Sequence, residues 1–159
     1  MDRSAFPHFH QITTRWKDND VYGHVNNVEY YSFFDTVINE FLIRAGGLDI
    51  HAGPVIGLCV ESQCTFKAPL AFPDTVDAGL RVAKLGTSSV TYEIGLFRGG
   101  GDRADGRSAG SGDLARGGSA GGDEPAALGR FVHVFVDRGD RRPTPLPAEL
   151  RSALEGITG

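Results

Sequence analysis

Cysteine is nearly missing from this chain: Cys59 and Cys64 are the only two in 159 residues. A disulfide scaffold needs more, so the fold must rest on an apolar core, which a single domain of this length can build. The two lie five apart in a strand-like run and are expected on opposite faces, which suits neither a mutual disulfide nor a zinc knuckle. Long apolar runs are also missing; none nears the roughly 20 residues of a membrane span. The opening MDRSAFPHFH lacks the apolar core of a secretion signal, so the expected place of action is the cytoplasm. Positive charge is short, with 16 Lys and Arg against 20 Asp and Glu, a net −4 that argues against a nucleic-acid partner. No GxxxxGK[ST] and no strand–GxGxxG–helix context supplies a phosphate cradle, and no GxSxG at a strand-to-helix turn marks a serine hydrolase.

What is present is an ordered series of amphipathic elements. Residues 8–16, HFHQITTRW, read as a first strand. His8 and His10 share one face of it, with no third ligand in view for a metal. Residues 28–45, VEYYSFFDTVINEFLIRA, read as a helix, because Tyr30, Phe33, Phe34, Val37, Phe41 and Ala45 recur at spacings of three and four. Tyr31, Ile38 and Leu42 widen that stripe, so the helix is expected to be wrapped by other structure. Glu40 and Arg44 form an i,i+4 pair, and Gly46-Gly47 ends the helix.

Strands follow. In 54–67, alternation places Ile56, Leu58, Val60, Ser62, Cys64 and Phe66 on one face. Residues 75–85 alternate through Val76, Ala78, Leu80 and Val82, and residues 88–98 through Val90, Tyr92, Ile94 and Leu96. Residues 128–137 form a last strand, apolar on both faces, in which His133 reads as a core or interface histidine. A short helix over 147–155 closes the chain. Between the last two strands, 99–127 holds ten glycines in 29 residues, too little apolar surface to offset its chain entropy, and reads as a mobile hairpin extension of one domain, 1–159. The class is α+β: strand, long helix, then four strands joined by hairpins, with a mostly antiparallel sheet curled around the helix.

The densest chemistry sits at the mouth of that helix, in DNDVYGHVNN, residues 18–27. A helix start carries unpaired N–H groups and partial positive charge, which favour an oxyanion. A carboxyl group and an imidazole delivered there suit attack on a carbonyl, with the carboxyl as base or nucleophile and the N–H donors holding the oxygen that gains charge. If the segment is extended, Asp18 and Asp20 point the same way, and Asp20, further from Arg15 and Lys17, is the better base. Asp, Asn and Gly before a helix also serve as cap and turn, and His24 could bond a backbone carbonyl instead.

The stretch RWKDNDVYGHVNNVEYYSFFDT, residues 15–36, resembles the signature of the 4-hydroxybenzoyl-CoA thioesterase family of hotdog-fold proteins, D-x-D-x-x-G-H-V-N-N-x-x-Y and an apolar helix. CTFKAPL, residues 64–70, and RRPTPLPAELR, residues 141–151, resemble further family segments. The resemblance implies a five- or six-stranded antiparallel sheet around one long helix, assembly into homodimers or homotetramers with sites at the dimer interface, and hydrolysis of an acyl-CoA, or of an acyl carrier protein in some relatives, without metal or redox cofactor. It makes Asp20 the catalytic carboxyl and the N–H of Asn27 the oxyanion donor. His24 matches a functional histidine in the similar HVNN run of plant acyl-carrier thioesterases; their asparagine two residues earlier is Tyr22 here. Tyr22, Gly23, Asn26, Tyr30 and Lys67 are the candidate substrate contacts, although Asn26 and Asn27 could be turn-formers and Tyr30 a core or pocket wall. Asp35 could be a second acid, and Arg98 could join Lys67 at the phosphates of CoA. A hotdog module that binds acyl-CoA or acyl carrier protein without turnover is the alternative.

Overall fold

The structure is a computed structural model and describes residues 1–99 and 122–159. Strand β1 (His8–Thr13) leads through a 3-10 turn at Trp16–Asp18 to helix α1 (Asn27–Arg44). Then come β2 (Val55–Phe66), β3 (Thr75–Leu85), β4 (Ser89–Arg98), β5 (Ala127–Asp137) and helix α2 (Ala148–Glu155). The glycine-rich connection joins the neighbouring antiparallel strands β4 and β5; its residues 100–121 lie outside the described residues, so the expected hairpin extension does too.

The sheet is fully antiparallel in the order β1-β3-β4-β5-β2. The expectation of consecutive hairpins therefore holds for β3-β4 and β4-β5 but not for β2-β3. Strand β2 pairs with β5 at the far edge, and the chain must cross the sheet to begin β3. Alternation along one strand marks which face is apolar, but it does not choose a neighbour.

Helix α1 lies on one face of the sheet. Tyr30, Phe33, Phe34, Val37, Ile38, Phe41 and Leu42 are buried, against Val76, Ala78, Leu80 and Val82 of β3 and Val90, Tyr92, Ile94 and Leu96 of β4. Fully burying a side chain of this size stabilises the fold by about 1.5–3 kcal/mol, so this stripe is the main source of stability. The wrap is partial, however. Val28 and Ile43 stay exposed on the far side of the helix, and Tyr31, at its flank, is 36% exposed while its ring lies 6.3 Å from that of Phe131. The Glu40–Arg44 pair forms, at 3.4 Å. Glu40 also lies 3.4 Å from His8 Nε2 and 3.9 Å from His10 Nδ1, joining β1 to the helix. Among the described residues no cluster of three or more His, Cys, Asp or Glu side chains is placed to hold a metal.

Strand β2 departs most from its sequence pattern. A bulge at Val60 makes two β2 steps match one on β5: Cys59 faces His133, and Glu61 faces Val132. The expected face is thereby split. Ser62, Cys64 and Phe66 share the helix side with Gly57 and Cys59, while Ile56 and Leu58 point the other way. Cys59 and Cys64 thus lie on the same face, not opposite ones, and both are free thiols. Burial raises the pKa of each, to about 11 for Cys64, and nearby Asp35 adds to the effect at Cys59, so neither is a thiolate nucleophile at neutral pH. As an edge strand, β2 leaves Leu58, Val60 and Phe66 exposed.

His133 is buried on the helix side of β5, and burial lowers its pKa to about 4. The depressed value makes the folded state refuse a proton that the unfolded chain accepts. This stabilisation is complete above about pH 6.5 and is lost as pH falls toward 4, an effect of about 3 kcal/mol. Urea unfolding between pH 7 and 4 should show that slope in wild type. His133→Phe should flatten it, and an unchanged slope would place the effect elsewhere.

Candidate active site

The polar stretch before α1 is a tight, internally bonded loop. Asp18 ends the 3-10 turn, and its carboxyl group is fully buried. It accepts from Arg15 N at 2.7 Å and Arg15 Nε at 3.0 Å, while its carbonyl accepts from Asn26 N at 2.8 Å. Asp20 is instead half-exposed in the following turn. The two carboxyl groups do not point the same way: the 3-10 turn breaks the extended segment that their spacing suggested. Asp18 is a brace for the loop. Asp18→Asn is expected to lower stability by about 1–3 kcal/mol, because an amide N–H₂ would then oppose the Arg15 donors. A urea midpoint within error of wild type would refute that role.

Asp20 is held by its own turn. Asp20 N donates to His24 O at 2.9 Å, Gly23 N donates to Asp20 O at 3.1 Å, and Asp20 Oδ1 accepts from Tyr22 N at 2.8 Å. Gly23 closes the turn at φ +84°, which L side chains adopt only with strain. The second carboxyl oxygen has no hydrogen-bond partner among the described residues, and no cation pairs with it there. Asn26 caps the helix, its side chain accepting from Val28 N at 3.2 Å. Asn27 is the first helical residue, so its N–H has no partner four residues back and stays free to donate outward.

A second loop supplies the opposite wall. Val25 N donates to Leu70 O at 2.7 Å, Leu70 N donates to Tyr30 Oη at 3.3 Å, and Phe72 N donates to Asn19 Oδ1 at 3.0 Å. These bonds stitch residues 67–72 to the motif. Between the two loops lies an open depression of about 380 Å³, lined by Asp20, His24, Asn27 and Lys67 with Tyr30, Phe66 and the backbone-rich Ala68-Pro69 corner. Phe66 packs edge-on against Tyr30, ring centres 5.0 Å apart. Burial raises the Tyr30 pKa, so its phenol stays protonated as a wall and anchor.

A model of one family, described as the thioesterase-like superfamily, matches residues 14–154. The chain belongs to the thioesterase-like superfamily. Among solved structures, this thioesterase-like chain is similar to the PA5185 protein of Pseudomonas aeruginosa strain PAO1. The two are 49% identical over 99% of this chain and 96% of that one, with a TM-score of 0.83. It is also similar to the PA2801 protein of Pseudomonas aeruginosa, a candidate thioesterase, at 26% identity over 94% and 98% of the chains and a TM-score of 0.73. A thioesterase of Thermus thermophilus complexed with coenzyme A and Zn, 23% identical over 96% and 95% of the chains, shares the hotdog-type fold at a TM-score of 0.69. No curated protein matches the chain.

Of the residues named from the sequence, the superfamily fold brings Asp20, His24, Asn27, Tyr30 and Lys67 to one depression. Gly23 and Asn26 stand behind it as turn and cap, and Tyr22 projects into solvent at 83% exposure, away from the lining. Asp35 lies along the helix outside the depression, with burial raising its pKa. Arg98 is engaged, 3.3 Å from Asp74 and donating to Pro69 O at 3.1 Å, so it steadies the second loop. Val25, Phe66, Ala68 and Pro69 complete the lining, and the sequence marks them only by their places in the HVNN run and beside Lys67. No described helix is long and apolar enough to cross a membrane.

Proposed function

We propose that this chain hydrolyses an acyl-CoA thioester to a carboxylic acid and CoA, acting in the cytoplasm as a member of the 4-hydroxybenzoyl-CoA thioesterase branch. The observation that carries the reading is the pairing, in one depression, of an Asp20 oxygen and a helix-start N–H of α1 that both lack a partner among the described residues. In the base route, Asp20 takes a proton from water as the water oxygen bonds to the thioester carbon. The carbonyl oxygen gains charge facing Asn27 N–H and the positive end of the helix. The C–S bond then breaks, and the proton passes to the departing sulfur. In the nucleophile route, Asp20 itself bonds to the carbon, CoA leaves, and water opens the resulting anhydride. His24 lines the same depression and can steady the leaving group, while Lys67 suits the phosphates of CoA.

The exposed apolar edge of β2 supports assembly. An edge strand carrying Leu58, Val60 and Phe66 offers unpaired backbone groups and apolar area to a second copy, and Phe66 links that edge to the depression. We read the unit as a homodimer through β2, open to pairing into a tetramer. Light scattering should give at least a dimer for wild type, and Val60→Lys should shift it toward monomer. A wild-type monomer at micromolar concentration would remove this assembly.

The test of function is a thiol-release screen over acyl-CoAs of short, long and aromatic acyl groups, repeated with acyl carrier protein thioesters, on wild type and Asp20→Asn together. Turnover that collapses in Asp20→Asn supports the reading. Tight binding with no thiol released from any thioester would make the chain a non-hydrolytic binding module instead.

A further inference from the structure

A second hollow, of about 190 Å³, lies at the other half of α1. Asn39 stands twelve residues beyond Asn27, roughly 18 Å along the helix at about 1.5 Å per residue, and the two hollows share no residue. Leu42, Leu48 and Ile50 form its apolar walls, and Asn39, Gly57, His133 and the β2 chain at Ile56 complete them. Its size exceeds that of the roughly 150 Å³ apolar cavity known to take a benzene ring.

Unlike that cavity, this one has a polar floor. His133 is 4% exposed, and its Nδ1 has no hydrogen-bond partner among the described residues. Behind it lies the fully buried Tyr92, whose hydroxyl is also without a partner; the rings meet edge-on, centres 5.1 Å apart. Buried polar atoms are nearly always paired, so two neighbouring exceptions beside a hollow call for a cause. Gly57 keeps the imidazole accessible: a side chain there would start 3.5 Å from His133 Nδ1 and 3.2 Å from the Phe135 ring. Asn39 donates its amide to Asp35 O at 2.9 Å, leaving Oδ1 free to accept.

The donor and acceptor set defines the ligand. Burial keeps His133 uncharged at neutral pH, so one ring nitrogen is an acceptor. Among the described residues no Lys or Arg lines the hollow, so an anionic group would enter without a counter-charge from them. We propose that the hollow formed by Asn39, Gly57, His133 and their apolar neighbours binds an uncharged, ring-sized molecule bearing a hydroxyl group, which donates to His133 or Asn39. The site is separate from the thioester depression and does not depend on its chemistry.

The probes are cyclohexanol, methylcyclohexane and cyclohexanecarboxylate, titrated into the full chain while the His133 ring resonances are followed by NMR. Cyclohexanol should give a saturable shift at His133, with at least tenfold weaker binding of the other two. Gly57→Val, which fills the floor, and Leu48→Trp, which fills the opposite wall, should each abolish the shift in a chain whose circular dichroism is native. His133→Phe should remove the preference for cyclohexanol over methylcyclohexane. The proposal fails if cyclohexanol gives no saturable shift up to its solubility, if the carboxylate binds as well, or if binding survives both filling variants. A cyclohexanol-soaked crystal showing only water in the hollow would overturn it too.

Discussion

Asp20→Asn is expected to reduce thioester turnover by about 10³-fold or more while leaving the melting temperature almost unchanged. The two halves of that expectation come from different atoms of one side chain. Oδ1 accepts from Tyr22 N at 2.8 Å and helps set the turn, and the amide oxygen of asparagine can accept the same bond. A half-exposed substitution that keeps its local hydrogen bond is expected to change stability by less than about 0.5 kcal/mol. The other oxygen has no partner among the described residues, and that is the atom able to take a proton or attack a carbonyl. An amide nitrogen does neither. Comparing kcat with KM adds a check: loss in kcat at nearly constant KM marks a group that acts in the transition state. Label found in the Asp20 carboxyl group after one turnover in ¹⁸O-water would establish the nucleophile route, since only water attack on the Asp20 side of the anhydride places it there. Full activity in Asp20→Asn would remove both routes.

Phe34→Ala should have the largest effect on stability, a loss of about 3–5 kcal/mol. Phe34 is completely buried at the centre of the helix–sheet contact. It meets Phe131 edge-on at 5.7 Å and Tyr31 at 6.1 Å. The sheet has made room for it: a side chain at Gly129 would begin 2.9 Å from the Phe34 ring, so β5 carries glycine where the ring presses closest. Truncation therefore leaves a ring-sized gap walled by backbone and other rings, which cannot close over it. Against a total of about 5–15 kcal/mol, a loss of this size takes a large share of the stability. At about 2–4 °C per kcal/mol for a chain of this length, the melting temperature should fall by roughly 10 °C. A urea-derived loss under about 1 kcal/mol would mean that the core can collapse around the gap. Gly129→Val should fail from the other side, by overpacking, and the two substitutions should not be additive because they act on one contact.

Much of this architecture is written in local periodicity. The stripe from Tyr30 to Leu42 appears as a buried helix face, and Val76 to Val82 and Val90 to Leu96 appear as core-facing strand positions. Those readings hold because side-chain direction repeats every 3.6 or 2 residues whatever the neighbours are. The same rule fails in β2, where one inserted residue at Val60 reverses the alternation. Nothing in VIGLCVESQCTF announces that bulge, because it arises from pairing with β5. The site shows the same division. Asp20, His24, Asn27, Tyr30 and Lys67 carry recognisable chemistry in the sequence, but their gathering depends on bonds between distant residues, such as Val25 N to Leu70 O.

The amino-acid order alone determined the elements, their apolar faces and the polar stretch that we propose acts on a carbonyl, since propensity, periodicity and side-chain chemistry are properties of short segments. Only the tertiary structure decided that β2 crosses to the far edge, that Asp18 turns inward to Arg15 while Asp20 faces the depression, and that His133 and Tyr92, beside a hollow, each keep a polar atom unpaired among the described residues. Each of those outcomes depends on which distant segments meet, and the free energy of such meetings is shared among many contacts that no local pattern records.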